Sequence, residues 1–171
     1  MIDTSLAVIS VFTISGGHFI LFALPIRRRG RRHKVSIDYT NDLSEINEDM
    51  LPGFFAGWPN PPSSATHFRL LKDSYCFYAA IDRKCNKVVG FVNSISDGVL
   101  TAYIPLLEVL PEYQGKGIGS KLVKLMLSEL EHLYMIDVCH DEELIPYYGK
   151  FGAHSGHSSI FRNYDAQSGM S

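Results

Sequence analysis

The stretch from Leu106 to Leu133 constrains this chain more than any other. An apolar strand end, Leu106-Leu107-Glu108-Val109-Leu110, passes through a Pro111-Glu112-Tyr113 turn into Gln114-Gly115-Lys116-Gly117-Ile118-Gly119. A helix follows at once. Ile118, Leu122, Leu125, Met126 and Leu130 recur at three- and four-residue spacing, and Leu133 closes the stripe. Glycines at 115, 117 and 119 leave backbone N–H groups bare at the positive end of a helix dipole, with Lys116 alongside. That is the chemistry of an anion or phosphate cradle.

The rest of the chain is placed around this element. Its 171 residues suffice for one domain with a real core. A formal net charge of −2 gives no basic field for nucleic acid. The three cysteines, Cys76, Cys85 and Cys139, are scattered and form no CxxC pair. This argues against a disulfide framework or a zinc site and for a reducing cytoplasm. His154 and His157 stand at a ligand spacing without an evident third ligand, so no metal is expected.

Residues 1–34 differ in character from the remainder of the chain. Leu6 to Ile26 is largely apolar and approaches the length of a membrane span, and Arg27 to Lys34 is strongly basic. Three readings stay open. The segment is upstream sequence translated from a wrong start, a weak anchor whose positive flank keeps the domain cytoplasmic, or a loose tail. Globular patterning begins at Val35, so the domain is expected over 35–171.

Val35 to Thr40 alternates as a strand does. Thr40, Asn41 or Asp42 can cap a helix carrying Leu43, Ile46 and Met50 on one face. The Pro- and Gly-punctuated segment Leu51 to Pro62 must be irregular. Its Phe54, Phe55 and Trp58 rings either pack as a hydrophobic edge or line a substrate pocket. Ser63-Ser64 can cap a second helix, Ala65 to Lys72. Three strands joined by short polar turns, Tyr75–Ile81, Lys87–Ile95 and Val99–Leu110, indicate antiparallel hairpins. Pro105 cannot donate to a ladder, so the third of these must bulge or lose a neighbour there. Tyr134 to Cys139 reads as a short buried strand, parallel to the one before the glycines. Asp141-Glu142-Glu143 opens a last helix that Pro146 delays or kinks, and Ser158 to Tyr164 reads as a closing strand.

Gln114-x-x-Gly117-x-Gly119, after a strand ending in Val109 and Pro111, resembles motif A of the GCN5-related N-acetyltransferases. Tyr148-Gly149-Lys150-Phe151-Gly152 is similar to that family's second signature, Tyr-x-Lys-x-Gly. A P-loop instead requires Ser or Thr after Gly-Lys, where this chain has Gly117. The resemblance implies an α+β three-layer fold: a mixed, mostly antiparallel sheet with splayed central strands and helices on both faces. It implies transfer of an acetyl group from acetyl-CoA to a primary amine, by direct attack in a ternary complex. The pantetheine is then expected along the backbone of Leu107, Glu108 and Val109. The pyrophosphate is expected on the turn formed by Gln114, Gly115, Lys116, Gly117, Ile118, Gly119 and Ser120. Tyr148 takes the role of the acid that protonates the leaving thiolate, the alternatives being a core tyrosine at 148 or Tyr147 in that role. Glu108 is the leading base, with Asp137 and His140 also open and a structural carboxylate as its alternative. Phe54, Phe55 and Trp58 face the acceptor in this reading. The implied partners are acetyl-CoA and an amine, with a homodimer compatible. A non-catalytic acyl-CoA-binding module is the competing function, and a membrane-tethered interaction domain a third if residues 1–34 anchor.

Overall fold

The computed structural model describes residues 36–162 and 166–169. Ile37–Thr40 (β1), Cys76–Asp82 (β2), Lys87–Ser96 (β3), Thr101–Val109 (β4) and Met135–Asp137 (β5) form one sheet whose spatial order is the chain order. The first four strands pair antiparallel, and β5 runs parallel to β4. Residues 1–34 and the boundary expected at 35 lie outside the described residues. No helix among the described residues is long and apolar enough to cross a membrane.

Helices Ser64–Lys72 (α1) and Ile118–Glu129 (α2) cover opposite faces of the sheet. The pleat shows why. Gly90 and Phe91 are neighbours on β3 and point opposite ways. A Cβ on Gly90 would meet Leu122 of α2 at 3.2 Å, whereas the Phe91 ring lies 4.3 Å from the His67 ring of α1. Leu122 and Met126 on the α2 stripe are wholly buried, each contributing about 1.5–3 kcal/mol. Ser63 caps α1, its hydroxyl accepting from the Thr66 amide at 3.1 Å.

The strand with Pro105 bulges as expected. Asn93 pairs with Leu106 but Ile95 pairs with Tyr103, so β4 carries one extra residue around Pro105. Three expectations need correction. The helix expected over Leu43 to Met50 is two short 3-10 turns, Leu43–Glu45 and Glu48–Met50. Asp42 does cap the first, accepting from the Ser44 amide, but Ile46 then turns extended (φ −122°, ψ 141°) and ends it. The strand after α2 is three residues long and largely exposed rather than buried, because it is the sheet's edge. The closing strand does not form over Ser158–Arg162, whose alternating pattern finds no sheet partner; Tyr164 lies outside the described residues. Pro146 delays the last helix as expected. A 3-10 turn at Glu142–Leu144 precedes Ile145–Gly149 (α3), with Pro146 in its first turn.

Candidate active site

β4 and β5 part company. Their pairing covers Thr101, Ala102 and Tyr103 of β4 only, so from Ile104 to Val109 that edge of β4 has no neighbouring strand among the described residues. The phase of the β3–β4 ladder decides what this edge offers. The Leu110 amide donates to the Val89 carbonyl at 2.9 Å, and Phe91 stands opposite Glu108. Bonded and non-bonded pairs alternate in an antiparallel ladder. The backbone groups of Glu108 therefore face β3, and those of Leu107 and Val109 face the open side. Gln114 confirms the direction, since its Nε2 reaches the Val109 carbonyl at 2.9 Å. This bond ties the glycine turn to the strand end.

Gly117 is the N-cap of α2 at φ 82°, a left-handed conformation that costs an L-residue about 1–2 kcal/mol. No side chain among the described residues caps the helix, so the Ile118, Gly119 and Ser120 amides begin it without an intrahelical or capping partner there. The Ile118 side chain is buried, and only its backbone reaches the turn. Gly115 and Lys116 are exposed on the rim. Lys116 is folded back. Its Nζ donates to the Glu112 carbonyl at 2.6 Å and sits 4.7 Å from the centre of the Tyr113 ring. Tyr113 in turn donates to buried Asp82 at 2.9 Å, which braces the turn against the β2–β3 hairpin.

Glu108 points to the other face. Both its carboxylate oxygens accept from the Phe55 amide, at 2.9 and 3.0 Å. Burial raises its pKa, and the Phe55 and Ala56 amides partly oppose the rise. Phe55 has φ 59°, strained for a bulky residue, and the Glu108 contact helps to hold it there. Phe54 and Phe55 are core rings, packed edge-on against His67, with Trp58 partly buried beside Phe55. His67 is 1% exposed and neither ring nitrogen has a hydrogen-bond partner among the described residues; burial depresses its pKa to about 4.

Tyr148 is 7% exposed and stacks on the His140 ring at 4.7 Å. Burial, followed by the charge of neighbouring Tyr147, raises its pKa well above that of a free phenol. His140 Nδ1 lies 2.7 Å from the Asp141 carbonyl oxygen. Asp137 lies on β5, paired with Tyr103 at the point where the strands part. His154 and His157 join no metal-holding group, and no cluster of three or more ligating side chains occurs among the described residues.

Three features carry no local signature in the sequence: the Glu108–Phe55 tie, the buried His67, and Tyr147, whose hydroxyl packs against Gly119. Each depends on contacts between residues far apart in the chain, and sequence patterning shows none of these contacts.

The profile of the Acetyltransferase (GNAT) family matches residues 43–153. The chain belongs to this family. Among solved structures, a Deinococcus radiodurans R1 protein described as a candidate acetyltransferase is 38% identical, with a TM-score of 0.78 over 84% of this chain and 99% of that one. A GNAT-family acetyltransferase from Streptococcus pneumoniae TIGR4 is 28% identical, with a TM-score of 0.58 over 75% of this chain and 100% of that one. The uncharacterized N-acetyltransferase YitH of Bacillus subtilis (strain 168) is 24% identical over 137 residues, 77% of this chain. The chain spans about half of that curated relative, 46% of its length. The GNAT match covers the splayed strand, the glycine turn and α3 together.

Proposed function

We propose that this GNAT domain transfers an acetyl group from acetyl-CoA to a primary amine in a ternary complex. The observation that carries this reading is the open edge of β4. Leu107 and Val109 present amides and carbonyls there, in line with the uncapped first turn of α2. An extended pantetheine can add to that edge as a strand would, and the pyrophosphate can take the turn's amides. Acetyl-CoA supplies an activated thioester carbonyl; the neutral amine attacks it, and the thiolate leaves. The chain's residues handle the two protons. Tyr148 keeps its proton at neutral pH because burial raises its pKa, so it can give that proton to the departing sulfur. Glu108 receives the amine's proton through water, since each carboxylate oxygen retains a lone pair beyond the Phe55 bond. The loop bearing Phe54, Phe55 and Trp58 bounds the acceptor side, with Trp58 the ring least enclosed by the core. The reading places the domain in the cytoplasm, in keeping with the free thiols of Cys76, Cys85 and Cys139.

Thiol release from acetyl-CoA across a panel of amines tests the activity. Tyr148→Phe is expected to lower kcat about a hundredfold, with CoA affinity held. Unchanged turnover would remove Tyr148 from the chemistry. One observation favours a second reading: both Glu108 oxygens are already engaged by a backbone amide, as in a purely structural carboxylate. If CoA binds tightly but no amine in the panel releases thiol, the domain is an acyl-CoA-binding module.

A further inference from the structure

The described residues after α3 are fastened to two sides of one recess. At the end of β5 the Cys139 thiol donates to the Ser158 hydroxyl at 3.7 Å. Farther on, Arg162 stands against Tyr103 of β4. Burial first, then Cys139, raises the Tyr103 pKa, and the Arg162 guanidinium beside it opposes the rise. Residues 166–169 form a turn, closed by the Gly169 amide on the Ala166 carbonyl at 3.0 Å. This turn is docked on α1 and the loop before it. Gln167 Oε1 accepts from the Asn60 amide at 3.1 Å, and Arg69 donates to the Gly169 carbonyl at 2.8 Å. Gly169 is left-handed at φ 69°, and a Cβ there would meet Thr66 Cγ2 at 2.9 Å, so the contact requires glycine.

Strand parity identifies the recess. Phe91 and Ile95 are four residues apart on β3, and the extra residue of the bulge lies in β4, so both side chains point the same way. Their partners across the ladder are Glu108 and Tyr103. Glu108 and Tyr103 therefore share the face on which Phe91 meets His67 of α1. An amine that gives its proton to Glu108 must arrive on this face. Arg162 stands at its β4–β5 side. The 166–169 turn stands at its α1 side, held to Asn60, two residues beyond Trp58. We propose that the docked turn, with Arg162 opposite, narrows the acceptor entrance and confines the domain to small amines, excluding amines carried on a peptide or protein. The inference rests on the acetyl-CoA reading above and names the acceptor class. A peptide needs a groove open at both ends, whereas a small amine needs a single opening.

The test frees the turn in the full chain and leaves the chemistry alone. Gly169→Ala adds the Cβ that Thr66 excludes and strains the left-handed backbone, which should lower the ratio of docked to free turn about five- to thirtyfold. Arg69→Ala is a second route, and loss of its hydrogen bond should lower that ratio about tenfold. Hydrogen exchange at the Asn60 amide reads the release, because the free turn takes its acceptor away. Thiol release from acetyl-CoA is then followed with butylamine, with phenethylamine and with a lysine-bearing peptide. Wild type should turn over the small amines and act on the peptide much more slowly. Both variants should raise kcat/KM for the peptide about five- to tenfold, in step with the freed fraction. The butylamine rate and the KM for acetyl-CoA should stay as in wild type. Wild-type turnover of the peptide at the small-amine rate would overturn the proposal. So would an unchanged peptide rate in variants whose Asn60 amide has lost protection, or unchanged Asn60 exchange in both variants. Failure of wild type to release thiol with every amine would overturn the acetyl-transfer reading itself, before any variant is compared.

Discussion

Two loops meet β4 from different sides. In the glycine turn at 114–120, the first amides of α2 have no side-chain cap, and Gly117 sits left-handed at the helix start. In the aromatic loop at 53–58, Phe55 is also left-handed, yet its amide is taken by both oxygens of Glu108. Both loops expose backbone donors through unusual φ angles. One satisfies them with a carboxylate from the neighbouring strand. The other leaves them without a side-chain cap among the described residues. The difference teaches that bare donors mark a binding site only where the fold itself supplies no acceptor. By that criterion the glycine turn is the proposed site, and the aromatic loop is its internally filled counterpart.

The sharpest way to break the comparison is to fill the glycine turn as the aromatic loop is filled. A side chain at Gly117 points into open space, since nothing lies within 4 Å of its Cβ position. Gly117→Glu should therefore fold, at a cost of about 1–2 kcal/mol for the left-handed backbone. Its carboxylate would then compete for the α2 amides and repel the pyrophosphate. CoA affinity is expected to fall about a hundredfold or more, a loss of about 3 kcal/mol. Retained affinity in a calorimetric titration would show that the phosphate does not sit on this turn.

The second prediction concerns the other loop's floor. His67 is buried among Phe54, Phe55 and Phe91, and its pKa falls from 6.5 to about 4 because burial penalises the charged form. The sign is direct. Between these values the unfolded chain binds the proton and the folded one does not. Stability present above pH 6.5 is therefore lost as the pH falls toward 4, by about 3 kcal/mol. Urea unfolding at a series of pH values should show this slope. His67→Leu should flatten it. An unchanged slope in the variant would place the acid sensitivity elsewhere.

The contrast between the loops also explains what the sequence could reveal. The glycine turn is local: its proline, glutamine, glycines and helix stripe succeed one another, and their spacing alone indicates a cradle. The bulge in β4 was legible because Pro105 has no amide to give, and the delayed start of α3 because of Pro146. The aromatic loop is not local. Phe55 and Glu108 are 53 residues apart, and nothing near either announces the other. For the same reason Phe54 and Phe55 read equally well as pocket lining or as core until their contacts with His67 and Phe91 were seen. Helix pattern failed at Leu43–Met50, where Asp42, one of three cap candidates, does cap the first turn but the chain turns extended at Ile46. Strand pattern failed at Ser158–Arg162, where alternation was present and a partner strand was not.

Glu108 gives the finest test, because its two roles respond differently. Glu108→Ala removes the acceptor for the Phe55 amide and leaves the strained φ uncompensated. A loss of about 2 kcal/mol is expected in denaturant unfolding, typical of a hydrogen bond to a charged group. Glu108→Gln keeps one acceptor oxygen, so it should recover most of that stability. If Glu108 is also the base, Gln should still lose turnover, since an amide cannot take the proton. Its pH dependence has a worked sign. Burial raises the folded pKa above 4.5, so the folded chain holds this proton more tightly than the unfolded chain does. The stability contributed by the protonated form is lost as the pH rises from about 4.5 through the raised value, opposite in direction to His67. The stability difference between wild type and Glu108→Gln should accordingly drift in favour of Gln across that window. The wild-type rate should rise over the same window as the base ionises. A rate that rises with pH in wild type and in Glu108→Gln alike would leave Glu108 holding the loop and assign the base to another group, with His140 beside Tyr148 the nearest to examine.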